Sequence, residues 1–175
     1  EAFAAAIEHE VTNDSLARQE SRRTFALANT WEVRYRDLEA EVRKLFPLVS
    51  IMVVTYNNRD LNRLCIDSVL GDTDYPNIEL IVVDNASSDG TPELLRGFAS
   101  RDSRMTLIRN PDNKGYAVAN NQALAIASGE YLCLLNNDTV VTRDWLRKLV
   151  RPLRDPSVGL VGPVTNSAGN DQVLG

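Results

Sequence analysis

Residues 49–58 read V-S-I-M-V-V-T-Y-N-N, a β-branched and almost wholly apolar run from Val49 to Val54 that stops in Thr55, Tyr56 and Asn57. A short run with no alternation between apolar and polar positions is what a strand buried on both faces looks like. The pattern recurs at Ile78–Val83, Met105–Ile108 and Tyr131–Leu135. Between these runs lie stretches with helical periodicity, Leu61–Leu70, Pro92–Phe98 and Ala117–Ala127, and a further helix is expected over Asp144–Leu153. Strands separated by helices imply a mostly parallel, doubly wound α/β sheet covered on both sides, a Rossmann-like architecture. Val158–Val164 reads as a fifth strand interrupted by glycine.

Working outward, residues 1–47 form a charged, Ala-rich leader with no Gly or Pro before Pro47, and Leu38, Val42 and Leu45 recur at helical spacing. The leader is expected to hold one or two helices, with Thr30 of Asn29-Thr30 capping the second. Residues 48–175 are expected to form the α/β part, and the abrupt start in the leader is expected of a piece of a longer protein with further domains. The fractions, 43% hydrophobic and 25% charged, are those of a globular chain. No apolar run approaches the roughly 20 residues of a membrane-spanning helix, and no signal peptide is legible, so a cytoplasmic protein is expected. Cys65 and Cys133, the only cysteines, read as reduced thiols. A net charge of -5 with dispersed basic residues argues against non-specific nucleic-acid binding. An anionic ligand would therefore need a local cation or helix N-termini.

In an open parallel sheet, ligands bind beyond the carboxyl ends of the strands. Those ends are polar here: Thr55-Tyr56-Asn57 after the first, Asp84-Asn85 after the second, Asn136-Asn137-Asp138 after the fourth. No G-x-G-x-x-G follows the first strand and no G-x-x-x-x-G-K-[ST] occurs, which disfavours dinucleotide dehydrogenases and P-loop enzymes. Without a glycine-rich cradle, a diphosphate needs another partner. Asp138 either holds a Mg2+ or Mn2+ that bridges to phosphate oxygens, or belongs to a turn. Asp84 either accepts a base N–H or caps the turn that follows it; Tyr56 either stacks on a base or fills the core; Asp89-Gly90 reads as a structural turn.

Four blocks in order carry a resemblance: V-S-I-M-V-V-T-Y-N-N from Val49, E-L-I-V-V-D-N-A-S-S-D-G-T from Glu79, N-K-G-Y-A-V-A-N-N from Asn113 and A-S-G-E-Y-L-C-L-L-N-N-D from Ala127. Together they resemble family 2 of the inverting glycosyltransferases, with the A-type nucleotide-sugar fold. The resemblance implies a transferase that moves a sugar from a nucleoside diphosphate-sugar donor to a saccharide or other acceptor in polysaccharide or glycan synthesis. It implies that Thr55 and Tyr56 border the base, that Asp84 hydrogen-bonds it, and that Asp138, last residue of the D-x-D element, binds the metal. Asn136 stands where that element usually opens with a carboxylate, as in rhamnosyltransferase-like relatives whose element reads N-N-D. This leaves Asn136 to bond ribose or sugar. Asn120 replaces an Arg common in the family, and Lys114 is either a cation near the diphosphate or a solvated surface lysine. Asn57, Asn85 and Asn137 complete the expected nucleotide-binding set.

The family's carboxylate base lies well after the D-x-D element, so none is assigned here and it is expected beyond Gly175. His9, the only histidine, lies in the leader and reads as a surface residue. Two rival functions would leave different marks on the same residues. A nucleotidyltransferase would open with a glycine-rich basic loop, which Asn57-Asn58-Arg59-Asp60 is not. A non-catalytic interaction module acting through the leader would bind no nucleotide with Mn2+.

Overall fold

A computed structural model of the chain describes residues 2–12 and 14–163. The chain divides into two compact units, Glu1–Leu45 and Phe46–Gly175. The first is helical, with α1 (Ala2–Thr12), α2 (Leu16–Ala28) and α3 (Trp31–Lys44). Three helices form where one or two were expected, because Ser15 starts a new one. Its Oγ accepts the N–H of Arg18 at 3.3 Å, and Asp14 beside it accepts from the Gln19 side chain at 2.7 Å. Thr30 caps the third helix rather than the second, its Oγ1 accepting the N–H of Val33 at 3.3 Å. Each cap satisfies an N–H that the first turn of a helix leaves without a partner.

The second unit runs β1 (Val49–Thr55), α4 (Arg59–Asp72), β2 (Ile78–Asp84), α5 (Thr91–Ala99), β3 (Met105–Arg109), α6 (Tyr116–Ile126), β4 (Tyr131–Asn136) and α7 (Trp145–Val150). The strands form one sheet in the order β3-β2-β1-β4, every pair parallel. On one face Ile66 and Val69 of α4, Leu95 of α5 and Leu146 of α7 pack on Ile51, Val53, Leu80 and Val82. On the other, Ala119 and Ala123 of α6 pack on Met52, Ile81 and Val83. Each large side chain buried this way contributes about 1.5–3 kcal/mol. That is why β1 and β2 carry no polar alternation.

The structure departs from the sequence expectation in β4, at the end of α7 and over residues 158–163. The fourth strand was expected to be buried on both faces. In the structure β4 lies at the sheet edge, and Leu132 and Leu134 are exposed because α6 covers β1 and β2. The helix expected to run to Leu153 stops at Val150 and continues as a 3-10 turn, Pro152–Arg154. Pro152 has no N–H for the helical ladder and its ring would clash with the carbonyl a turn earlier. Residues 158–163 of the expected fifth strand lie outside any strand; Val164 lies outside the described residues. Gly159 and Gly162 weaken strand formation and Pro163 removes a ladder donor. Among the described residues no helix is long and apolar enough to cross a membrane.

The chain winds outward from β1 through β2 to β3, then returns through α6 to β4 on the other side of β1. The reversal puts the switch point between β1 and β4, where open α/β sheets bind ligands. Gly129, just before β4, permits that return. A Cβ there would sit 2.5 Å from Ser50 Oγ, 2.6 Å from the Ser50 N and 2.9 Å from the Leu48 carbonyl oxygen. Ser50 Oγ is itself fixed, donating to Glu79 at 2.6 Å and accepting the Gly129 N–H at 2.8 Å. Gly129→Ala is therefore expected to destabilise the second unit by about 1–3 kcal/mol through overpacking against backbone. The denaturant midpoint followed by circular dichroism checks this, and an unchanged midpoint would show that the β1–β4 junction gives way freely.

Candidate functional site

Parallel register brings the strand ends together: Thr55 lies opposite Asp84, Val54 opposite Asn136, and Asp84 opposite Arg109. The three polar endings thus share one edge of the sheet, at the switch point. Four loops leave that edge, and side-chain amides tie them to one another.

Asp84 is fully buried. One carboxylate oxygen accepts the Ser87 N–H at 2.9 Å and the other accepts from Arg109 Nε at 3.2 Å. The carboxylate thus caps its own turn and holds an ion pair. Two carboxylate oxygens offer about four acceptor positions, so lone pairs remain, but the side chain is 0% exposed and a further donor reaches them only where the surrounding loops move. Ala86, in the turn, has φ 70, the left-handed region that costs a residue with a Cβ about 1–2 kcal/mol. Asp89 accepts N–H groups from Arg59 at 3.1 Å and from Thr91 at 3.2 Å. The Thr91 hydroxyl, with the backbone of Arg59 and Thr91, holds its carboxyl below the usual carboxylate range. Gly90 follows at φ 84, so Asp89-Gly90 is the structural turn expected.

Asn85, buried, holds the loop after β3. Its Nδ2 donates to Asn113 Oδ1 at 2.7 Å, and its Oδ1 accepts from Asn110 Nδ2 at 3.0 Å and from the Lys114 N–H at 2.9 Å. The Lys114 ammonium lies 2.6 Å from Asp112, so its charge is partly matched from within the loop. Asn120 turns its amide back onto the Tyr116 carbonyl at 2.9 Å.

Thr55 is buried and donates to Asn62 Oδ1 at 2.6 Å. Tyr56 is 51% exposed, which removes the core-filling alternative and leaves its ring on the surface of the site. Asn57 and Asn58 are both left-handed, at φ 59 and 64. Asn57 bridges to the loop after β2: its N–H donates to Ser87 Oγ at 2.7 Å and its Oδ1 accepts the Ser88 N–H at 2.8 Å. In the N-N-D element the middle residue, Asn137, faces inward, its Nδ2 donating to Asn62 Oδ1 at 3.0 Å. Asn136 and Asp138 face outward. Beside Asn136 lies a cavity of about 820 Å3, lined among others by Leu134, Val140, Trp145, Arg143 and Lys148.

No cation among the described residues comes within ion-pairing distance of Asp138. Nor do the described residues contain any cluster of three or more His, Cys, Asp or Glu able to cage a metal. A lone exposed carboxylate suits a hard divalent ion whose remaining ligands are phosphate oxygens and water. Thiolate ligation has no candidate, since burial pushes both Cys65 and Cys133 up to about 11 and leaves them neutral thiols. His9 is exposed on α1, in the other unit. Reading the sequence missed Asn62 and Arg109. Neither sits in a motif, and only the fold brings them to Thr55, Asn137 and Asp84.

The family model for glycosyl transferase family 2 matches residues 50–173. Among curated relatives, the UDP-Glc:alpha-D-GlcNAc-diphosphoundecaprenol beta-1,3-glucosyltransferase WfaP of Escherichia coli is 41% identical over 91 residues, 52% of this chain and 35% of that protein. The glycosyltransferase AglE of Haloferax volcanii is 31% identical over 118 residues, 66% of this chain and 38% of that one. Among solved structures, the mannosyltransferase PcManGT from Pyrobaculum calidifontis, in complex with GDP-Man and Mn2+, superposes with a TM-score of 0.61 at 37% identity, covering 65% of this chain and 34% of its own. The chain therefore spans well under half the length of these relatives.

Proposed function

Because the chain belongs to glycosyl transferase family 2, we propose that its second unit binds a nucleoside diphosphate-sugar across the carboxyl edge of β1, β2 and β4, as the donor half of a metal-dependent, inverting transferase. The observation that carries this reading is the convergence of Thr55, Asp84 and Asn136–Asp138 on one edge at the switch point, with Asp138 the exposed carboxylate that nothing in the described chain neutralises. The base lies against Tyr56 and donates to the Asp84 carboxylate. Asp138 would hold Mg2+ or Mn2+, and the metal, when bound, would supply stabilisation of the charge on the departing nucleoside diphosphate. Asn136 bonds ribose or sugar hydroxyls, and the cavity beside it gives the sugar room. Lys114 stands at the helix entrance near the diphosphate, with Asn120 behind it. Transfer to a saccharide acceptor in polysaccharide synthesis is the activity of the whole protein, and its acceptor base is assigned to none of the described residues.

Titration calorimetry of the chain with UDP-, dTDP- and GDP-sugars, each with and without Mn2+, tests the reading. One nucleotide class is expected to bind, at least tenfold more tightly with Mn2+. No binding across the panel would overturn it.

A further inference from the structure

Asn62 stands on the buried stripe of α4, followed at helical spacing by Cys65, Ile66 and Val69, all in the core, and it is itself only 1% exposed. An apolar residue would serve packing there without the desolvation cost of an amide. Both ends of this amide are instead bonded mainly to residues around the site, with one longer contact from Nδ2 to Thr91 Oγ1 of α5 at 3.5 Å. Its Oδ1 accepts from Thr55 Oγ1 at 2.6 Å and from Asn137 Nδ2 at 3.0 Å. Its Nδ2 donates to the carbonyls of Asn57 at 2.6 Å and Asn58 at 3.0 Å. Those two residues form the left-handed pair after β1, a conformation that persists only where the surroundings hold it. Asn137 immediately precedes Asp138. One buried side chain therefore grips both the loop carrying Tyr56 and the turn carrying the exposed carboxylate, from opposite sides of the switch point.

We propose that Asn62 is a positioning residue that fixes the loop after β1 and the Asn137–Asp138 turn as one rigid body. Base contact at one end then presents the diphosphate to the metal ligand at the other. Asn57 extends the coupling to the loop of Asp84 through Ser87 and Ser88. This rests on the donor-binding reading above, and it also makes a claim about the ligand-free protein.

The test uses the full 175-residue chain and the variants Asn62→Asp and Asn137→Ala. Asn62→Asp keeps the size and the acceptors for Thr55 and Asn137, but sets an oxygen against two carbonyls. Asn137→Ala cuts the link from the turn side and leaves α4 and its core untouched, so it serves if Asn62→Asp does not fold. Hydrogen exchange of ligand-free protein is measured over residues 56–58 and 137–139. In either variant both segments are expected to exchange faster together; acceleration of only one, or of neither, would overturn the coupling whether or not nucleotide binds. The second readout is calorimetry with UDP and GDP, each with and without Mn2+. The expected result is a loss of affinity of about 10–100-fold with Mn2+, as for residues that orient metal ligands, and a roughly tenfold smaller gain on adding Mn2+. A merely structural asparagine would lower the melting temperature and leave that gain unchanged, which would also sink the proposal. If the unaltered chain binds neither nucleotide while its two loops still respond together, the functional reading falls and the coupling stands.

Discussion

Replacing Asp138 by asparagine is expected to weaken nucleoside diphosphate binding about 100-fold in the presence of Mn2+ and to leave binding in EDTA unchanged. The side chain is exposed and has no protein partner among the described residues, so the substitution removes one negative charge and little else. Surface changes of that kind move stability by within about 0.5 kcal/mol. A lost affinity therefore reports on the ligand and not on unfolding. Because one carboxylate offers too few ligands for an octahedral ion, metal and nucleotide should each raise the affinity of the other by the same factor. Mn2+ alone should bind weakly. Equal affinity for the nucleotide with Mn2+ and in EDTA, or no change in Asp138→Asn, would assign the N-N-D turn a purely structural role.

The sheet was legible because β1 and β2 are covered on both faces, which forces unbroken apolar runs at Val49–Val54 and Ile78–Val83. Where burial is one-sided the signal weakens: β4 sits at an edge, and Leu132 and Leu134 gave no hint that their side would lie open. The strand expected over 158–164 is absent over its described residues, 158–163, for the opposite reason, since apolar residues there are separated by glycines and close on Pro163. The leader was undercounted because the Asp14-Ser15 capping signal lies inside a charged stretch with no apolar boundary. At the site, the residues that end strands could be found, since a parallel sheet delivers all its carboxyl ends to one edge. Asn62 could not: its partner Asn137 is 75 residues away, and on a helix a lone asparagine next to Arg63 looks like a solvated position. Arg109 was hidden likewise, being one basic residue among many until β3 pairs with β2 and sets it beside Asp84.

Asp84→Asn separates the two roles that the buried carboxylate combines. The amide oxygen still accepts the Ser87 N–H, so the turn after β2 keeps its cap, while the amide nitrogen turns a donor toward the Arg109 guanidinium. Leaving that cation without its partner costs little, because Arg109 is 42% exposed and water can solvate it. Stability is therefore expected to fall by about 1 kcal/mol, short of unfolding. Binding should suffer more. A base N–H that donates to an ionised acceptor loses a charge-assisted bond worth about 1.5–3 kcal/mol, equivalent to roughly 10–150-fold in affinity. On the proposed reading the loss should appear equally with and without Mn2+, since Asp84 would act at the base end, whereas Asp138→Asn would act only when metal is present. That contrast makes the pair of variants informative: one shifts the baseline affinity, the other the metal increment. If Asp84→Asn lowers the melting temperature and leaves nucleotide affinity intact, Asp84 belongs to its turn and its arginine. The base would then have to be recognised by backbone groups of the loop at Tyr56–Asn58.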